Sequence, residues 1–76
     1  MIQVKVYRKS DGKPYKGAKV WISFSGLLDG GVSKNSYTDS DGIAYIDSDG
    51  GRNGKLYVGN SMVKEGTISG QEVVWA

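Results

Sequence analysis

The sequence predicts an all-β fold, a single domain over residues 1–76 built as a small antiparallel Greek-key β-sandwich of six to seven strands. Three observations carry that expectation. Twelve glycines and one proline cut the chain into short segments. Within those segments apolar and polar side chains alternate, and no stretch repeats its apolar residues at helical spacing.

The elements follow in order. IQVKVY places Ile2, Val4 and Val6 on one face and Gln3, Lys5 and Tyr7 on the other, because successive side chains of a strand point oppositely. AKVWISF repeats the pattern, with Ala18, Val20, Ile22 and Phe24 against Lys19, Trp21 and Ser23. Between them, Ser10, Asp11 and Gly12 suit a tight turn, and Pro14, which lacks an N–H donor, belongs at a strand start or an edge. Residues 25–35 read as a loop with a short strand around Val32, and Leu27 and Leu28 are placed to fold over an open end of the core. SYT, the turn DSDG, the strand IAYID, the turn SDGGRNG and the strand KLYVG come next. The end of the chain reads as two strands, around Met62 to Ile68 and Glu72 to Trp75, separated by Ser69 and Gly70.

A chain of this size buries only about 60% of the surface its unfolded form exposes, so the core must be efficient. With no cysteine there is neither a disulfide staple nor a thiolate nucleophile. The N-terminus alternates where a signal peptide would be continuously apolar, and no segment approaches a membrane span. The chain as it stands reads as cytoplasmic; as a domain excised from a larger exported protein it would be extracytoplasmic. Charge is uneven: residues 1–20 hold six Lys/Arg and one Asp (+5), residues 21–49 one Lys and five Asp (−4), and residues 50–76 three basic and two acidic groups (+1), for a net +2.

The stretch SYTDSDGIAYIDSDGG concentrates Asp39, Asp41, Asp47 and Asp49 among glycines. Aligned as a calcium loop with Gly42 at the turn position, Asp39 and Asp41 fall on ligand positions, but Tyr37 and Ser48 occupy the first and last, where carboxylates are needed. The two Asp pairs also flank a strand roughly 15 Å long at about 3.3 Å per residue, too far apart to share an ion. Turn chemistry is the better reading, since Asp side chains bond nearby backbone N–H groups. Asp47, Asp49 and Asn53 are the remaining candidates to wrap a calcium ion with backbone carbonyls.

No histidine is present, so the commonest general base is missing, and no glycine run has phosphate-loop spacing. The chain is expected not to be an enzyme and to need no cofactor. Lys5, Arg8, Lys9, Lys13, Lys16 and Lys19, interleaved with Tyr7 and Trp21, define a candidate basic face for single-stranded nucleic acid. The low net charge weakens the phosphate attraction that dominates such binding. Two Trp, five Tyr and one Phe exceed what one small core can hold, and Tyr7, Trp21 and Tyr45 fall opposite the aliphatic residues. Outward aromatics can hold a protein partner, pack against a sister subunit or stack on a sugar. An open sandwich exposes strand edges, and VVWA is β-prone with one nearby charge, a further route to pairing with another chain.

YRKSDGKPYKGAKVWI followed by TDSDGIAYI resembles the carboxypeptidase regulatory-like and transthyretin-like β-sandwich modules. Gly12, Pro14, Gly17, Ala18 and Val20 match the first part of the motif, and Thr38, Asp39, Gly42, Ala44 and Ile46 the second. The match runs from residue 2 to about residue 46; Tyr15 replaces a small aliphatic residue, and the last third departs from the family's ending. The resemblance implies a transthyretin-like or immunoglobulin-like sandwich in which residues 18–24 lie beside residues 43–47. On that pairing Trp21, Ile43 and Tyr45 would share an outer face. The expected function is a non-catalytic protein-interaction or self-association module binding through Tyr7, Trp21, Ile43 and Tyr45. The alternatives are a carbohydrate-binding or adhesion module, calcium-assisted or not, and a small nucleic-acid-binding barrel.

Overall fold

The computed structural model describes residues 1–25 and 31–76. It is an all-β domain of two sheets with the strands β1 (Ile2–Tyr7), β2 (Lys19–Phe24), β3 (Gly31–Val32), β4 (Ser36–Tyr37), β5 (Ile43–Ile46), β6 (Arg52–Val58), β7 (Ser61–Ile68) and β8 (Gln71–Trp75). Three strands form one sheet in the order β5-β1-β8, and the second runs β3-β2-β6-β7 with β4 also on β2. We call these the three-stranded and the five-stranded sheet. The expected fold class holds at the level of two β-sheets, with eight strands among the described residues against an expected six or seven; the excess comes from β3 and β4, two residues each. The expected placement of Leu27 and Leu28 lies outside the described residues.

One pairing departs from an all-antiparallel arrangement. β8 runs parallel to β1, Gln3 opposite Gln71 through Tyr7 opposite Trp75. The chain turns at Ser69–Gly70 and passes from the five-stranded sheet to the other, so β7 and β8 are consecutive without being neighbours in a sheet.

The core is aliphatic throughout. Ile2, Val4, Val6, Ala44, Ile46 and Val74 face inward from the three-stranded sheet, and Ala18, Val20, Ile22, Leu56, Val58 and Ile68 from the five-stranded one. Each fully buried Val, Ile or Leu contributes roughly 1.5–3 kcal/mol by leaving water. None of the aromatic residues is among the fully buried ones; Tyr15 and Phe24 pack on the cluster's margin.

The crossover from β1 to β2 is held by residues from the far half of the motif. The buried Thr38 hydroxyl accepts from Ala18 N–H at 2.8 Å and donates to the Tyr15 carbonyl, while Tyr15 N–H donates to Val6 O at 2.9 Å. Gly42 packs under this knot with φ 77°. A Cβ on it would stand 2.7 Å from Val6 O and 3.0 Å from Tyr15 N, so both its conformation and the space demand glycine. Pro14 bridges Tyr7 beyond the end of β5, the edge position its missing donor requires.

Candidate functional site

In two of the acidic turns the first aspartate, Asp39 or Asp11, bonds to the backbone of its own turn. Asp39 Oδ1 accepts from the N–H groups of Asp41 at 2.9 Å and Ile43 at 3.0 Å, and Asp39 N–H donates to Ile43 O at 2.9 Å. Asp39 thereby covers the hydrogen-bonding groups of Ile43 on the open edge of β5. Asp11 accepts from Lys13 N–H at 3.0 Å and pairs with Arg8; those two bonds, Arg8 first, hold its carboxyl below the ordinary value. Among the described residues no three His, Cys, Asp or Glu side chains converge on a point that could hold a metal. Of the calcium candidates, Asp47 and Asp49 lie exposed outside the strands. Asn53 lies on β6, where its side-chain oxygen accepts from Thr67 Oγ1 at 3.0 Å.

The candidate binding residues divide between the two sheets. β5 pairs with β1, and β2 pairs with β6, so residues 18–24 do not lie beside residues 43–47. Trp21 therefore does not share a face with Ile43 and Tyr45. It stacks on Tyr57 at 4.1 Å and 5° between planes, and its indole N–H donates to Gly59 O at 2.8 Å. The basic face is broken up for the same reason: Lys5 and Tyr7 stand on one sheet, Lys19 and Trp21 on the other. Alternation had shown which residues point outward; the strand neighbours come from long-range pairing, which alternation does not encode.

Tyr7, Ile43 and Tyr45 do come together, joined by two residues the candidate set lacked. Across the outer face of the three-stranded sheet, Gln3 lies between Tyr45 and Gln71, Lys5 between Ile43 and Val73, and Tyr7 beside Trp75. Tyr45 is 50% exposed, Val73 55% and Trp75 52%. Trp75 stacks on Tyr7 with centroids 5.4 Å apart, and the Lys5 ammonium stands 5.3 Å from the Tyr7 ring centroid. Lys5 has no carboxylate partner among the described residues, and none of the strand residues on this face is acidic. The alternation of QEVVW marked Val73 and Trp75 as outward; only the pairing of β8 with β1 put them on this face.

The outer face of the five-stranded sheet carries side-chain pairs of its own, Lys55 with Glu65 at 3.8 Å, Asn53 with Thr67 and Trp21 with Tyr57. Val32, Tyr37 and Met62 stand exposed on it as well. What distinguishes the three-stranded face is that its strand residues include a cation, Lys5, and no acid.

Between the sheets, on the side where β7 and β8 are the edge strands, Glu72 points inward and is 7% exposed. Lys64, opposite the buried Leu56, reaches it from β7, and both carboxylate oxygens accept from the ammonium at 2.7 Å. Ser69 donates to the same carboxylate through its N–H at 2.7 Å, and its one hydroxyl proton is shared between that carboxylate at 2.9 Å and the Gln71 carbonyl at 2.5 Å. Burial pushes the Glu72 carboxyl up, but the bonds from Lys64 and Ser69 together outweigh burial and leave it below the ordinary value. A cleft of about 500 Å³ opens between the sheets, lined among others by Lys9, Tyr15, Val58, Met62, Val63 and Trp75.

No protein-family model, curated protein or solved structure matches this chain, so the reading of its surface rests on its own geometry. No helix among the described residues is long and apolar enough to cross a membrane.

Proposed function

We propose that this domain is a non-catalytic protein-interaction module, and that its contact surface is the outer face of the three-stranded sheet. The observation that carries this reading is the gathering of Tyr45, Val73 and Trp75, each about half exposed, around Ile43, Tyr7 and an unpaired Lys5. Aromatic anchors in an apolar patch supply most of the energy of protein contacts, and a lone cation inside the patch selects the partner's charge. The partner surface is therefore apolar with a carboxylate positioned for Lys5. The absence of histidine and cysteine from the chain fits a binding role better than catalysis.

We also read the domain as a relative of the carboxypeptidase regulatory-like and transthyretin-like modules. What supports this is that both halves of the motif meet in one place. Thr38 and Gly42 from the second half hold Tyr15 and Ala18 of the first, at the crossover between sheets.

A random peptide display library selected against the domain tests the contact surface. Selected sequences are expected to combine an aromatic or aliphatic anchor with Asp or Glu. Their binding should be lost on Ile43→Glu or Tyr45→Glu and kept on Lys55→Glu. Binders that ignore the first two substitutions, or a library that yields none, would count against the reading.

A further inference from the structure

The hydrogen-bonding pattern of β8 singles out one bare edge. Gln3 N–H donates to Gly70 O, Ala76 N–H to Tyr7 O and Lys9 N–H to Ala76 O, so the even-numbered residues of β8 bond to β1. In a parallel ladder the intervening residues turn their N–H and C=O groups to the opposite side. Those are Gln71, Val73 and Trp75, and the Gln71 carbonyl is taken by the Ser69 hydroxyl. Among the described residues the N–H and C=O groups of Val73 and Trp75, four in all, have no partner on the edge, and both side chains are exposed on the outer face.

The other edges carry the usual protections. β3 and β4 are two residues long, β5 has Asp39 bonded over Ile43 so that only Tyr45 is open between its ends, and β7 carries Lys64, Glu65, Gly66 at φ 121° and a bulge opposite Leu56/Tyr57. On β8 the one charge, Glu72, is turned inward and held by Lys64, away from anything approaching the edge.

We infer that two copies of this chain pair antiparallel through β8. The bare run is self-complementary. A two-fold axis at Val74 sets Val73 opposite Trp75 of the second copy and Trp75 opposite its Val73, so that all four free groups of each copy find partners. The same register packs each Trp75 side chain against a Val73 side chain on the outer face, an aromatic to β-branched cross-strand pair. Two-fold interfaces require such self-complementarity. The product is a six-stranded sheet that joins the two apolar faces into one surface with a Lys5 in each half. This inference stands on the edge and is independent of what the face binds.

Sedimentation velocity on the synthetic chain, from micromolar to millimolar concentration, tests it. The parent chain is expected to move from monomer to dimer. N-methylation of the Val73 amide removes two of the four bonds and places a methyl group in the seam, and should weaken the dimer at least about tenfold. N-methylation of Gln71, outside the paired run, should change it by less than about twofold. Amide spectra of both variants should show the β1–β8 ladder intact, since neither altered nitrogen bonds to β1. A parent chain that stays monomeric, or a dimer indifferent to methylation at Val73, overturns the proposal. If such a dimer is lost on Ile43→Glu, the copies meet through the face; if the monomeric variant still binds selected peptides, the contact-surface reading survives without the edge.

Discussion

The Lys64 ammonium stands 2.7 Å from both carboxylate oxygens of Glu72, joining the edge strand of one sheet to the edge strand of the other. Glu72 is nearly buried and Lys64 is 36% exposed, so the pair closes the side of the molecule where neither sheet has a further strand. Replacing the carboxylate by an amide removes the charge and one of the two acceptor oxygens that Lys64 and Ser69 use, while the partly exposed lysine can swing into water, which limits the cost. Glu72→Gln is expected to destabilise by about 1–2 kcal/mol, lowering Tm by roughly 5–15 °C. Calorimetry of the two proteins at neutral pH checks this.

The same pair sets an acid limb. The folded-state pKa of Glu72 lies below its unfolded value, so the stability it contributes is fully present above the ordinary glutamate range and is lost as pH falls through the folded value. Tm should fall as pH drops below about 4.3, and the fall should be shallower in Glu72→Gln. Asp11 shifts in the same direction on an exposed turn, so Asp11→Asn is the control, expected to leave most of the limb in place.

Thr38 is a second point where one side chain satisfies two backbone groups, both in the crossover that leads into β2. Replacing it with valine keeps the volume but leaves Ala18 N–H and Tyr15 O without their partner. A loss of about 2–4 kcal/mol is expected, and Thr38→Ser, which keeps the hydroxyl, should recover more than half of it. Urea unfolding of the three proteins decides the order.

Gly12 and Gly42 have similar backbone angles, φ 71° and 77°, but different surroundings. Around Gly12 an added Cβ meets nothing within 4 Å; at Gly42 it meets the Val6 carbonyl. Gly12→Ala should cost about 1–2 kcal/mol from the backbone alone, and Gly42→Ala clearly more. Equal costs in urea unfolding would mean that the knot beneath Gly42 is looser than the geometry requires.

Much of this architecture was readable from residue order. Ile2, Val4 and Val6, Val20 and Ile22, and Ala44 and Ile46 all alternate and all face the core, because a side-chain period of two is a local property of extended backbone. The turns at Asp11 and Asp39 were readable for the same reason: an Asp carboxylate bonds within a few residues of itself. What escaped was neighbourhood. That β1 lies between β5 and β8, and that Trp21 faces away on the other sheet, follows from contacts distant in sequence. Glu72 did leave a trace, since alternation in QEVVW puts it on the same side as Val74. A charge at that position signals an inward partner, and Lys64 supplies it.

The account depends most on which outer face does the binding. An amide chemical-shift map of the domain against a display-selected peptide addresses this directly. The shifts should cluster at Lys5, Tyr7, Ile43, Tyr45, Val73 and Trp75, leaving Trp21, Tyr57 and Lys55 unmoved. A map centred on β2 and β6 would contradict it.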